Sequence, residues 1–356
     1  MHENIEIDVI KDLGTLKSIK DEWDTLNLCS KDGSPFSSHD WITAWCENYL
    51  DRNKLFVVQA RKDGKLIGLL PFYITSKLNL TIIQLLGLKE VNGECVNLII
   101  KQGLENKVGP LILDTLFELP ENWDAISLYG IRTNSLFHNI LFSTNSKLLQ
   151  NTKIVSSMLG PARVIHLSES WEEFLKSRTK NFRKIYRRKI SAFNDTGFNI
   201  VRESEGKNHE EVVDHLIQVE SLSWQGIKGR PIIKLKKKFF DKIMPKLIKN
   251  NEADIIWAMN NEREISFILL FILKDRAFFF VTAYESAYEK FSLGTVVHYF
   301  ALKHLCERGI KYVDLMIDIG PSTTKDRWTK TKEISMKHLF FKKTLKGRLA
   351  ALSQIL

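Results

Sequence analysis

Residues 277–317, AFFFVTAYESAYEKFSLGTVVHYFALKHLCERGIKYVDLMI, decide the fold class. The aromatic run inside Ala277–Ala283 suits a buried central strand better than an amphipathic helix. The period then changes. Leu293, Val296, Val297, Phe300, Ala301, His304 and Leu305 recur at three-and-four spacing, and Gly309 supplies a stop after Glu307-Arg308. Tyr312–Ile317 reads as the next strand. Strand, helix and strand within about 40 residues make a right-handed crossover unit, which predicts a mixed α/β sheet.

Upstream, Ala253–Met259 and Ile265–Leu273 read as strands around the polar turn Asn260-Asn261-Glu262-Arg263. The same arrangement occurs earlier, where Leu55–Ala60 and Leu66–Ile74 flank Lys62-Asp63-Gly64, and Asp-Gly between apolar runs is a strong hairpin signal. This doubling, with a length of 356 residues against roughly 100 to 200 per domain, predicts two domains, residues 1–150 and 151–356. Asn145–Pro161, rich in Asn, Ser and Thr, is the expected linker. Trp171–Phe193 is expected to be one helix with an apolar stripe that includes Phe182, Tyr186 and Phe193.

Charge divides along the same line. Residues 1–150 carry 15 Lys+Arg against 19 Asp+Glu, and the remainder carries 37 against 23, so the overall surplus of +10 resides in the second half. A field of one sign confined to one half fits a phosphate-bearing partner there, or a solvated basic face. Hydrophobic residues at 44% exclude a disordered chain. Cys29, Cys46, Cys95 and Cys306 form no CxxC pair and read as reduced thiols, with no metal site expected. The N-terminal MHENIEIDVI has no signal-peptide character, and Ile265–Leu273 is far shorter than the roughly 20 residues a membrane helix needs. A soluble, cytoplasmic chain without a membrane partner is expected.

Several residue groups carry candidate chemistry. Ser292 to Thr295 open a helix after a buried strand, so their N–H groups and the positive helix end could take a phosphate, with Gly294 allowing close approach and Lys290 as counter-charge. Simple N-capping by Ser292 accounts for the same spacing. Lys176–Ile190 holds eight cations, Arg183 and Arg187 among them, suited to clamping phosphates on a substrate or to a solvated face. Attack by an amine requires a base, and Asp318 and Asp314, near the end of the last strand, are candidates, with Asp318 preferred; a structural pairing of Asp314 fits equally. His39 is a further catalytic candidate. Glu220 and Trp224 are spaced one helical turn apart, and Trp224 would wall a sugar or base. No G-x-S-x-G elbow, Walker loop, HExxH or G-x-G-x-x-G stands in the sequence, so serine hydrolase, P-loop, zincin and dinucleotide readings have no support.

From about Trp23 to Thr331 the chain resembles the CelD-like branch of the GNAT acyltransferases, associated with cellulose and surface-polysaccharide biosynthesis and related to the FemABX peptidyltransferases. The matching segments are Pro35–Trp41, Asp63–Phe72, Arg183–Lys189, Ser223–Gly226, Tyr288–Gly294, Gly309–Asp314 and Arg327-Trp328. The resemblance implies two tandem GNAT-like domains, of which only the C-terminal one holds acyl-CoA. It implies that Ala283 and Tyr284 bond the pantetheine and thioester through their backbone. Ser292, Leu293, Gly294, Thr295 and Val296 would cradle the pyrophosphate, although this chain keeps one glycine where the superfamily loop has more. An acidic residue before Lys325, Arg327 and Trp328 would line the acceptor side.

The activity implied is transfer of an acyl group from acyl-CoA, acetyl-CoA or longer, to the amine of an amino sugar, plausibly nucleotide-linked. Two alternatives remain. One is an aminoacyl-tRNA-dependent FemABX-like transferase, the only reading with a nucleic-acid partner, which lacks a visible coiled-coil arm here. The other is a non-catalytic binding module of a polysaccharide-synthesis complex.

Overall fold

The computed structural model describes residues 4–118, 122–143, 146–206, 209–317 and 325–353. Its strands are β1 (Ile5–Ile10), β2 (Lys54–Lys62), β3 (Lys65–Lys77), β4 (Leu80–Leu85), β5 (Ile99–Ile100), β6 (Ala125–Arg132), β7 (Thr152–His166), β8 (Asn199–Arg202), β9 (Ala253–Asn260), β10 (Arg263–Leu273), β11 (Arg276–Tyr284), β12 (Tyr312–Ile317) and β13 (Lys332–Lys342). Its helices are α1 (Leu13–Ser18), α2 (Lys20–Cys29), α3 (His39–Tyr49), α4 (Glu105–Glu118), α5 (Leu136–Ser143), α6 (Lys147–Asn151), α7 (Trp171–Ser177), α8 (Lys180–Asn194), α9 (Val212–Ser221), α10 (Trp224–Ile227), α11 (Lys237–Lys249), α12 (Leu293–Glu307), α13 (Lys325–Trp328) and α14 (Leu345–Ser353).

Two compact units result, Met1–Pro161 with Glu333–Leu356, and Ala162–Lys332. The first carries the strand order β1-β2-β3-β4-β6-β13, with β5 paired to β3, and the second the order β8-β9-β10-β11-β12-β7. Neighbours in the first are antiparallel except β4 and β6. In the second all are antiparallel except β11 and β12. The same succession of pairings therefore occurs twice, as expected of tandem mixed α/β folds.

The closing strand of each sheet breaks the chain order. Ala162–His166 of β7 pairs with β12, and β13, which follows β12, pairs with β6. Residues 333–356 thus belong to the first unit, whereas the sequence places everything after residue 150 in one C-terminal domain. The segment expected to be a linker is α6 and β7 from Lys147 onward. Of its first ten strand residues only Thr152 and Gly160 are buried, so they show no apolar alternation, and Gly160-Pro161 reads as punctuation.

The hairpins form where Asp-Gly and Asn-Glu predict them. Asp63 and Gly64 have φ of 52° and 74°, the left-handed values that a two-residue hairpin turn requires. The expected single helix over 171–193 is two, because Thr179 caps a new one. Its hydroxyl accepts the Phe182 N–H at 3.2 Å, and Arg178 is extended. In the second unit, α12 buries Leu293, Val296, Val297, Ala301, Leu302 and Leu305 in a core with Ile256, Ile268 and Leu270 of the sheet, and α8 adds Phe182, Tyr186 and Phe193. Each buried Leu, Val, Ile or Phe among them stabilises by roughly 1.5–3 kcal/mol, which fixes where the first turn of α12 must lie.

Candidate functional site

β11 and β12 run parallel, yet they pair only over Arg276–Phe278 and Tyr312–Asp314. Both strands then depart from regular register. In β11, Leu269 faces Val281 while Leu270 faces Phe279, so Phe280 is an extra, bulged residue. In β12 the pairing with β7 shifts between Asp314 and Ile317, and Met316 has a φ of 64°. Asp314 holds that kink by accepting the Met316 N–H at 2.7 Å. A parallel pair whose hydrogen bonding stops while both strands continue presents backbone edges at their C-terminal ends, where open α/β sheets bind ligands.

At that end β11 leads through a 3₁₀ turn, Ser286–Phe291, into α12. Ser292 is left-handed, with φ 56° and ψ 37°, and its side chain caps no first-turn N–H. The N-capping explanation of this serine is therefore not what the structure shows; the Ser292 N–H donates to the Glu289 carbonyl and the Thr295 and Val296 N–H groups to the Ser292 carbonyl, so among the described contacts the Leu293 and Gly294 amides are the ones left to a ligand. Leu293 and Val296 point into the core, so they contribute backbone only. A Cβ on Gly294 would lie 3.4 Å from Tyr284 Cδ1 and 3.8 Å from Thr282 Cγ2, ordinary contacts that packing alone would tolerate.

Positive charge converges on the same turn. Lys189 of α8 donates from Nζ to Thr295 Oγ1 at 3.2 Å. Burial, then the charges of Arg327 and Arg188, hold its ammonium below the usual lysine value. No carboxylate pairs with Lys189 among the described residues. A partly desolvated cation, crowded by two others and by the positive end of a helix, is stabilised when an anion arrives.

Beside this turn lies His298, which sequence reasoning passes over because it looks like one more residue of an amphipathic helix. Its Nδ1 is 2.6 Å from the Gly294 carbonyl, and its ring packs on Phe279 of β11 at 5.3 Å and on Trp328 at 6.2 Å. Burial lowers its pKa to about 4, so the ring is neutral at pH 7. The Gly294 contact makes Nδ1 the protonated nitrogen and leaves Nε2 as an acceptor.

The remaining predicted residues divide sharply. Ala283 and Tyr284 end β11, with the Ala283 carbonyl taken by Ser266 Oγ at 2.9 Å. Lys290 is exposed on the 3₁₀ turn, its Nζ 4.9 Å from the Phe291 ring centroid. Arg187 and Arg327 are exposed. Asp318 lies outside the described residues.

Other assignments are corrected by packing. His39 is buried in the first unit, bonding the Leu16 carbonyl at 2.9 Å and packing edge-on to Trp23, so it joins α1 to α3 and does not face a site. Glu220 is buried and accepts the N–H groups of Ile232, Ile233 and Lys234 at 2.6–3.2 Å, which occupies its carboxylate. It shares no helix with Trp224, since α9 ends at Ser221 and α10 begins after it. Arg183 donates to the carbonyls of Lys176 and Arg178 at 3.0 and 2.6 Å, closing the end of α7. Lys325 donates to the carbonyls of Met316 and Ile317, both at 3.1 Å, and braces the end of β12. Trp328 is buried against Tyr186 and Phe182 as part of the core. Asp314 is buried too, and its contact with Met316 is structural.

Residues 180–326 match the acetyltransferase (GNAT) domain family. Comparison with curated proteins finds no match. Among solved structures the chain is similar to FemX, at 12% identity over 98% of this chain and 99% of that one, with a TM-score of 0.62. A conserved protein of unknown function from Bacteroides thetaiotaomicron gives 12% identity over 95% and 100%, TM-score 0.55. L-PGS from Bacillus licheniformis gives 12% over 97% and 96%, TM-score 0.52. At these identities the likeness is one of fold. The chain has a mixed α/β GNAT-type fold, and its match to an acetyltransferase domain lies within residues 180–326.

Proposed function

We propose that the chain is an N-acyltransferase that moves an acyl group from acyl-CoA to the amine of an amino sugar, nucleotide-linked, in surface-polysaccharide assembly, as the CelD-like resemblance implies. The observation that carries the donor half is the contact of Lys189, itself crowded by Arg188 and Arg327, with the uncapped first turn of α12, beside a parallel strand pair whose hydrogen bonding has stopped. Pyrophosphate would sit against Ser292–Val296, with the Leu293 and Gly294 amides as its backbone donors, and the pantetheine would run along the end of β11 near Ala283 and Tyr284. The acceptor half rests on the resemblance.

In the reaction the neutral amine attacks the thioester carbonyl, the C–S bond breaks, and the proton lost by nitrogen passes through a base to the departing thiolate, so that CoA leaves as the thiol. Proximity and backbone polarisation of the carbonyl contribute most of the rate. Asp318 is the base by resemblance, and His298, neutral with Nε2 free to accept, is the base that the geometry favours. Asp318→Asn and His298→Gln separate them, since the variant of the true base loses turnover and keeps CoA binding.

The acyl-CoA site belongs to the second unit alone on this reading. The helix after the first parallel strand, α4, starts with Glu105 in its first turn, and that carboxylate accepts the Gly103 N–H at 2.8 Å, an arrangement that repels phosphate. Calorimetry with CoA tests the donor half: the expected result is one site per chain, lost on charge reversal at Lys189. Product mass spectrometry with acyl-CoAs against nucleotide-linked amino sugars tests the acceptor half. Transfer from charged tRNA without CoA binding would instead establish the aminoacyl-tRNA-dependent alternative.

A further inference from the structure

Residues 222–238, LSWQGIKGRPIIKLKKK, contain six cations and no acid. They form an excursion from the end of α9 into the first turn of α11 whose fold is fixed from beneath. The buried Glu220 carboxylate gathers the N–H groups of Ile232, Ile233 and Lys234, and Pro231 and Ile233 are buried. The outward side of this rigid excursion is unusual for a soluble surface. Leu222, Trp224, Ile227 and Leu235 are 45%, 52%, 68% and 69% exposed. Of the eight tryptophans, all of them described, the other seven are buried. Between these apolar side chains stand Lys228, Arg230, Lys234 and Lys238, all exposed. Lys228 Nζ lies 5.6 Å from the Trp224 ring centroid, and Lys237 is neutralised by salt bridges to Asp214 and Asp241.

We infer that this excursion docks the protein onto an anionic lipid surface. Tryptophan, isoleucine and leucine interleaved with lysine and arginine suit the boundary between headgroups and acyl chains: the rings and branched chains enter, and the cations meet phosphates. Neither half of the pattern suffices alone. A solvated basic face would not expose Trp224, and an ordinary protein interface is depleted in lysine. Cations near an anionic leaflet each add to binding, so four exposed ones together with four apolar anchors support reversible binding without any spanning segment. The excursion is tied to the end of β11, because Leu222 accepts the Ser286 N–H at 3.0 Å and Gln225 donates to the Thr282 carbonyl at 3.4 Å. Docking would therefore bring the end of β11 to the lipid surface, within reach of an acceptor carried there.

Vesicle sedimentation with the full chain tests this. Vesicles of phosphatidylcholine alone and of phosphatidylcholine with phosphatidylglycerol are compared, with Trp224 emission as a second readout. Expected are binding to the anionic vesicles only, a blue shift absent in Trp224→Phe, and loss at about 1 M salt, where the Debye length is about 3 Å. Combining Trp224→Ala with Ile227→Ala should weaken binding about tenfold, while thermal unfolding and CoA binding stay as in the parent, showing that the fold is intact. No binding to anionic vesicles, binding indifferent to these substitutions, or retention by RNA in place of vesicles would each overturn the inference.

Discussion

Glu220 shows how a residue that looks functional in the sequence can be architectural. Its carboxylate is the only acceptor offered to the Ile232, Ile233 and Lys234 amides among the described contacts, and it holds the whole 222–238 excursion in place. Charged hydrogen bonds of this kind contribute about 1.5–3 kcal/mol each, less the desolvation of the carboxylate. Glu220→Ala is therefore expected to lower unfolding free energy by about 3 kcal/mol in urea titration; a loss below about 1 kcal/mol would show that the amides find other partners. Two histidines, the half-buried His298 and the buried His338, make a second prediction at this scale. Burial holds His298 and His338 at about 4, against 6.5 when exposed. The unfolded chain binds these protons first, so stability is full above about pH 6.5 and falls as pH drops towards 4, by up to a few kcal/mol per histidine. His338→Gln should flatten that decline in a thermal melt series from pH 7 to about pH 4.5, and an unchanged slope would exclude the histidine as its source.

The legible elements were those whose periodicity matched their burial. The α12 stripe and the β2–β3 hairpin with Asp63-Gly64 follow directly from spacing, because a single face is buried and the turn residues suit left-handed backbone. What decided the site left no such trace. The bulge at Phe280 sits inside an unbroken aromatic run, and the kink at Met316 uses a residue with no left-handed preference, held by Asp314 two positions earlier. Asp314 therefore looked like a base when it serves as a brace, and Asp314→Asn, which keeps the acceptor, should retain most CoA binding and turnover. A drop of a hundredfold or more in kcat with the fold intact would restore Asp314 to the chemistry. Lys189 was visible only as one cation of eight; its contact with Thr295 depends on which side of α8 is buried. Gly294 provides the direct check on the element. Alanine meets only ordinary contacts there, so Gly294→Ala should fold normally. Gly294→Trp should abolish CoA binding in calorimetry, and binding equal to the parent would exclude the first turn of α12 as the phosphate site.

At the scale of the molecule, the duplication was readable as paired hairpins, but the exchange of closing strands was not, because sequence order gives no hint that β13 returns to the first sheet. That strand brings Leu339, Phe340 and Phe341 into the first unit, all buried, and α14 adds Ala350 and Ala351. Without them β6 becomes an edge, with its apolar face uncovered and a row of unpaired backbone groups presented to solvent. Three large apolar side chains at roughly 1.5–3 kcal/mol each approach the whole stability of an ordinary domain. A chain ending at Lys332 is therefore expected to lose the first unit selectively. Limited proteolysis should cut within residues 4–161 and spare 162–332, and CoA binding should persist on the protected fragment, because Lys189, Thr295 and the first turn of α12 all belong to it. Equal protection of both units in the truncated chain would mean that the closing strand of the first sheet is dispensable. Loss of CoA binding from an intact 162–332 fragment would mean that the donor site depends on more than the residues of the second unit.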